Sequence, residues 1–412
     1  MTTVIRQVEA RDARYPLPPQ AGTDAIHSGS VYAYAVALLR TGSGLTGTGI
    51  ALTLGEGNPL VCEAIRLLAP SIEGREIEDL MAGFGAVSRG LADHPQLRWL
   101  GPHKGVMHLA LASLTNACFD LWAKSREVPL WRLLLDLSPD EVIRLLDLSY
   151  LEDVLTPQSA RRLLEQEQPA RSSRDVIMPR GYPGYDTSVG WFQYEDAEVR
   201  QRAKLALRKG FSAFKLKVGS PQGERDLRRA SLLRDLAGPD VRIMLDANQQ
   251  WTVPQAIEMG RSLASMNPYW IEEPTHPDDV RGHVKIADAI APIRIALGEH
   301  VPNRILFKNF IDARAVHFVQ PDCTRLAGVS EFIAVSLLAR QARLPVAPHV
   351  GDMGQIHQHL VLFNHVALGH EPLFLEYIPH LAEYFVHPAV VREGVYQTPQ
   401  SPGASTDLKD VK

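Results

Sequence analysis

Seven ionisable residues recur along the second half of the chain at nearly even intervals, and this spacing constrains the fold more than any other feature. Lys217, Asp246, Glu272, Glu299, Asp322, His349 and Glu376 are separated by 29, 26, 27, 23, 27 and 27 residues. Each lies at or near the C-terminal end of a short apolar or β-branched run, at 213–218, 243–248, 270–274, 295–300, 316–322, 345–350 and 374–377. Amphipathic segments of helical length fall near 222–237, 253–266, 278–289 and 328–341. One strand, one helix and two loops fill such an interval, so the pattern reads as repeated parallel βαβ units. In a closed (β/α) barrel the strand ends converge on one mouth, and residues this far apart meet in one cavity. The segment 181–188 is the candidate for a first strand.

The preceding sequence is less regular. An apolar run at 31–39 leads into Arg40-Thr-Gly-Ser-Gly-Leu-Thr-Gly-Thr-Gly49, which reads as a turn-rich hairpin. Helical patterning dominates 59–135, most clearly at 105–124, and returns at 157–168. Residues 1–140 are therefore expected to form an α+β domain. A chain of 412 residues allows two domains or one large barrel. Its net charge of −4, with no long basic run, argues against nucleic acid as a partner. Cys62, Cys118 and Cys323 are far apart and fit a reduced compartment better than a disulfide framework. With no apolar leader and no apolar run near 18 residues, a cytoplasmic protein without membrane attachment is expected.

The chemistry follows from residue type. Asp246, Glu272 and Glu299 come from consecutive strand ends, and hard cations such as Mg²⁺ take oxygen ligands of this kind. One such acid would be an ordinary salt-bridge partner; three in succession favour a metal. In Trp270-Ile-Glu-Glu-Pro274, strand alternation lets only one glutamate face inward. Lys215 and Lys217 share a face. Neighbouring positive charge and desolvation are expected to draw a lysine below its usual pKa of about 10.4, making it a general base. Asp322 beside His349 would fix the imidazole tautomer and raise its pKa. His108, His317 and His357 read as hydrogen-bonded core residues. A carboxylate held on Mg²⁺ can accept charge as an enediolate, which acidifies its α-hydrogen. Lysine would take that proton and histidine would protonate a leaving hydroxyl. Glu376, if protonated, would hydrogen-bond the developing enolate oxygen.

These residues resemble the mandelate racemase branch of the enolase superfamily. The motifs are Lys215-x-Lys217, Asp246-x-Asn248, Glu272-Glu273-Pro274, Gly298-Glu299-His300, Asp322 and Pro348-His349. The likeness spans nearly the whole chain and is similar to the L-fuconate dehydratases at 97–108, 187–191, 275–280 and 300–304. It implies a modified (β/α)7β TIM-type barrel (141–379) under an α+β N-terminal capping domain (1–140) that segment 380–412 rejoins. It further implies Lys217 as base, His349 as acid and Asp322 as its orienting partner, with Mg²⁺ on Asp246, Glu272 and Glu299. Lys215, Asn248 and Glu376, with Asp24 and Tyr32 from the cap, would contact the substrate. The implied activity is a hydro-lyase that converts L-fuconate or a close isomer to a 2-keto-3-deoxy acid. A racemase or epimerase on the same scaffold, or a barrel that binds sugar acids without turnover, are the alternatives. Expected partners are a small-molecule sugar acid and further copies of this chain. Segment 350–357 (Val-Gly-Asp-Met-Gly-Gln-Ile-His), Pro321 before Asp322, and Leu297 depart from the family pattern.

Overall fold

Charged residues at alternating exposed positions hide Ile5–Pro16 (β1) from a search for apolar runs, yet it is the longest strand in its sheet. The computed structural model describes residues 2–29, 31–371 and 373–411. β1 pairs antiparallel with Val31–Thr41 (β2), which pairs with Thr46–Thr53 (β3). The predicted hairpin is the β2–β3 connection. As the central strand, β2 is buried along most of its length. Helix Asn58–Leu68 (α1) precedes Gly105–Ser125 (α2), whose buried residues run from Met107 to Ala123 around its circumference. A helix apolar on all sides belongs inside a protein, and α2 packs against β3 at very short range. A Cβ on Gly49 would stand 1.9 Å from the Ser113 carbonyl oxygen. The Ser113 hydroxyl accepts from the Ala37 amide at 2.9 Å and faces the Ala35 carbonyl at 2.9 Å, joining helix to sheet.

The second unit is the predicted α/β barrel. Strands Tyr182–Gly190 (β4), Ala213–Lys217 (β5), Arg242–Asp246 (β6), Trp270–Glu272 (β7), Ile295–Leu297 (β8) and Phe318–Val319 (β9) pair in parallel order. Leu375–Tyr377 (β10) pairs in parallel with β4 and closes the ring. The run at 345–350 supplies only a bridge from Val346 to Val319, because Pro345 and Pro348 lack amide donors. The strands alternate with helices Asp196–Arg208 (α3), Glu224–Ala237 (α4), Val253–Leu263 (α5), Val280–Ile290 (α6), Arg304–Asp312 (α7), Val329–Gln341 (α8) and Ile356–Leu368 (α9). The result is a (β/α)7β barrel.

One buried cluster fills its interior: Tyr185, Ala213, Met244, Trp270, Ala296, Phe318, Ala347 and Phe374. Each strand position contributes one member. Two residues further along stand Thr187, Lys215, Asp246, Glu272, Gly298, Gln320, His349 and Glu376. Side chains two apart on a strand share a face, so the apolar layer is a floor and the polar layer rests on it. The C-terminal segment lies against the N-terminal sheet and α2. There Asp407 Oδ1 accepts from Thr48 Oγ1 at 2.5 Å and Lys124 Nζ at 2.8 Å, and Tyr15 donates to Asp410 at 2.8 Å. Among the described residues no helix is long and apolar enough to cross a membrane.

Candidate active site

Asp246 and Glu272 are the last residues of β6 and β7, and Glu299 stands two residues beyond β8. Gly298 lets this bend form, since a Cβ there would lie 2.3 Å from the Gln320 carbonyl oxygen. The three carboxylates are buried, with ligand oxygens all within 4.8 Å of one another. Glu272 Oε2 accepts from Trp270 Nε1 at 2.9 Å and Gln320 Nε2 at 3.0 Å. Glu299 Oε1 is 3.3 Å from His300 Nδ1 and 3.4 Å from Arg325 Nη1. Its Oε2 is buried without a hydrogen bond, although His349 Nε2 stands 3.3 Å away. Burial, opposed by Lys215 and aided by Asp246 and Glu376, pushes Glu272 up to about 8. An oxygen-only donor set, crowded by its own negative charge and holding an unpartnered oxygen, fits a hard divalent cation. Two nearby groups, Glu273–Glu299–His300 and Asp322–Cys323–His357, also gather donor atoms. They include imidazole nitrogens, which suit softer metals.

The lysines depart from expectation. Lys215 Nζ lies 2.6 Å from Glu376, 2.8 Å from Glu272 and 3.4 Å from Asp246, while Lys217 Nζ lies 2.5 Å from Asp246. Burial draws both pKa values down, but Glu272 and Glu376 around Lys215, and Asp246 beside Lys217, carry them above the ordinary lysine value. Close carboxylates outweigh the mutual repulsion of the two ammonium groups. Glu376 differs too: burial favours its acid form, but Lys215, then His349 and Lys217, hold its pKa below the usual value. It is a carboxylate, accepting from Thr187 Oγ1 at 2.5 Å and the Val350 amide at 3.2 Å. The sequence reading made Glu376 a donor only if protonated, and its lowered pKa and accepted hydrogen bonds favour the acceptor instead.

On the far side of Glu299, His349 Nδ1 lies 2.8 Å from Asp322 Oδ2. Burial opposes ionisation of Asp322, but His357 and His349 hold it well below the ordinary range. An ionised carboxylate only accepts, so the proton sits on Nδ1 of His349 and Nε2 is left to the cavity. Burial lowers the His349 pKa, yet Glu299 and Asp322 raise it above its ordinary value.

A cavity of about 40 Å³ joins these groups. Asp24, Tyr32, Trp191, Lys217, Glu299, Arg325, His349 and Glu376 line it. Asp24 is held by His27, whose Nδ1 lies 2.9 Å away. Asn248 stays outside the lining; its amide donates to Asp246 Oδ1 at 3.0 Å and its own buried Oδ1 has no partner. Lys215 and Glu272 lie beneath, in the polar layer. Sequence reasoning missed Arg325, Thr187 and Gln320. The last two carry a recoverable signal, each standing two residues after an aromatic floor residue. A surface cleft of about 930 Å³, lined by Arg98, Lys104 and Lys308 among others, contains none of the candidate residues.

Comparison with known proteins places this geometry in context. A family described as enolase C-terminal domain-like matches residues 198–412. L-galactonate dehydratase from Hypocrea jecorina is 39% identical over 97% of this chain and 91% of its own length. The crystal structure of human mitochondrial enolase superfamily member 1 superimposes with a TM-score of 0.96 at 38% identity, covering 99% of this chain and 95% of that one. L-talarate dehydratase from Polaromonas sp. JS666, complexed with Mg and L-glucarate, gives a TM-score of 0.76 at 25% identity over 99% and 96%.

Proposed function

The chain belongs to the enolase superfamily, and from that premise we propose that it dehydrates a sugar acid with Mg²⁺ as cofactor. The observation that carries this reading is that Lys217, His349 and Glu299 line one cavity, with Glu299 also completing the Asp246–Glu272–Glu299 cluster. Asp246, Glu272 and Glu299 would hold the Mg²⁺, which when bound offsets the negative charge that builds on the substrate carboxylate.

Lys217 takes the α-proton through its neutral amine. Its pairing with Asp246 favours the ammonium, so that contact must loosen before the transfer. Lys215 stays charged between Glu272 and Glu376 and orients the substrate carboxylate. Asn248 adds an amide donor to that carboxylate, while Glu376, as an acceptor, takes a hydrogen bond from a substrate hydroxyl. His349 acts as the imidazolium that its raised pKa favours: Asp322 holds Nδ1–H, and the second proton, on Nε2, passes to the β-hydroxyl as the carbon–oxygen bond breaks. Water leaves, and the resulting enol tautomerises to a 2-keto-3-deoxy acid. Asp24 and Tyr32 close the site from the cap, which we assign to 1–140 together with 380–412, over a barrel at 141–379.

Similarity to an L-galactonate dehydratase supports an acid of L-galacto configuration. L-fuconate is the 6-deoxy form of that acid and shares its reacting carbons, so it remains within the proposed substrate class. The test is a screen of monosaccharide acids with Mg²⁺ for 2-keto-3-deoxy products, led by L-galactonate, L-fuconate and D-arabinonate. Keto acid from the L-galacto pair supports the reading. Exchange of the α-hydrogen without keto acid would replace it with racemisation or epimerisation, and binding without either reaction would replace it with a non-catalytic barrel.

A further inference from the structure

Asp322 is shared between two imidazoles. Its Oδ2 meets His349 Nδ1 at 2.8 Å and its Oδ1 meets His357 Nε2 at 2.9 Å. The amide and hydroxyl of Thr324 also donate to Oδ1, both at 2.7 Å. On the other side of the carboxylate, Arg325 Nε stands 3.9 Å from Oδ2, too far for a hydrogen bond. His357, Asp322 and His349 are all buried. The Cys323 amide N–H points at His357 Nε2 from 3.2 Å, and the Cys323 sulfur lies 3.4 Å from the same nitrogen. Nε2 cannot serve both contacts: the Asp322 oxygen, ionised and at 2.9 Å, is the closer partner and outweighs the amide at 3.2 Å, so the proton resides on Nε2 and His357 donates to Asp322.

His357 stands in the first turn of α9, at the end of the segment that departs from the family pattern. That segment is a built structure. Asp352 accepts from the Gly354 amide at 2.6 Å and from the hydroxyl of Tyr34 on β2. The cap sheet therefore holds the segment that presents His357, and His357 braces Asp322.

We propose that His357 is a positioning residue, fixing Asp322 so that His349 Nε2 is aimed at the leaving hydroxyl. This rests on the dehydratase reading. Three donors on Oδ1 prevent the carboxylate from turning about its Cβ–Cγ bond, and a fixed carboxylate fixes the imidazole that binds its other oxygen. Partners that orient a metal-bound imidazole from behind are worth roughly 10- to 100-fold, and the same scale is expected for an imidazole held by Asp322. His357 touches neither Lys217 nor the metal cluster, so its influence falls on loss of the hydroxyl and leaves proton abstraction alone.

The experiment compares the Mg²⁺-loaded protein with His357→Leu and His357→Gln, using L-galactonate as substrate. Dehydration is followed together with deuterium uptake at the α-carbon of recovered substrate in D₂O. His357→Leu is expected to lower kcat roughly 10- to 100-fold with little change in KM, and to accumulate deuterium in unreacted acid. His357→Gln keeps an N–H donor and recovers most of the rate. Dehydration and exchange falling together, Gln performing no better than Leu, or an unchanged kcat in His357→Leu each overturns the proposal. If the unaltered protein dehydrates no sugar acid, the dehydratase reading itself fails. The geometry is then decided by the His349 Nδ1 proton resonance, which should move in His357→Leu and hold in His357→Gln; a resonance unmoved by Leu overturns it.

Discussion

Nζ of Lys217 lies 2.5 Å from Oδ2 of Asp246, so the proposed base and a proposed metal ligand share one carboxylate oxygen. An ammonium group and a divalent cation compete for such an oxygen. Replacing Lys217 by Met removes the base and the competitor together. Dehydration should fall by about 10²- to 10⁴-fold, the usual worth of a general acid or base. Mg²⁺ should bind at least as tightly as before. Calorimetric titration with MgCl₂ beside a product assay measures both, and weaker metal binding or near-normal turnover would contradict this pairing.

Glu299 brings an unpartnered oxygen to the cluster, and its loss should be felt first in the metal. Chelation with EDTA should stop turnover and added Mg²⁺ restore it. Glu299→Gln removes the charge at nearly constant volume and should raise the Mg²⁺ concentration needed for half-activity at least about tenfold. Activity that survives chelation would remove the cation from the reaction.

Gly49 packs where β3 and α2 meet, with no room for a methyl group 1.9 Å from the Ser113 carbonyl. Backbone atoms must separate to admit one. Gly49→Ala should cost on the order of 3 kcal/mol, the upper range for overpacked cores. Urea denaturation followed by circular dichroism gives the value, and a loss below about 0.5 kcal/mol would show that the sheet and helix part easily.

Glu331, on α8, ties the unit together away from the active site. Its Oε1 accepts from the Arg304 amide at 2.9 Å and lies 3.2 Å from Arg304 Nη1, and Oε2 lies 2.9 Å from His108 Nε2. Burial alone would raise its pKa, but His108 and Arg304 hold it far below the usual range. A depressed folded-state pKa means stabilisation that is complete above the ordinary glutamate value, near ~4.3, and fades as pH falls through the folded one. Glu331→Gln should lose roughly 3–5 kcal/mol at neutral pH, as expected when one partner of a buried pair is removed. That gap should narrow below pH ~4. Denaturation curves at pH 7, 5 and 3.5 test this, and a gap of constant size would rule out the charge as its source.

Much of the barrel was legible because strand alternation is a local rule. Lys215, Asp246, Glu272, His349 and Glu376 each follow a floor residue by two positions, so their common face could be read without knowing what lay across it. The same rule failed where local chemistry broke the strand. Pro345 and Pro348 reduce the seventh strand to a bridge, and β8 stops at Leu297, short of Glu299. β1 escaped notice because its charged positions mask its buried ones.

What the sequence by itself determined is therefore the barrel, its reactive mouth and the residue types gathered there, since a two-residue strand period and a regular strand–helix interval are written along the chain. Tertiary structure alone decided the charge states and partners. Lys217 is raised by Asp246, 29 residues away, and Glu376 is held ionised chiefly by Lys215. His357 reaches Asp322 only when α9 folds back beside it. Electrostatic energy depends on distance through space and on burial, and neither quantity exists until the ring has closed.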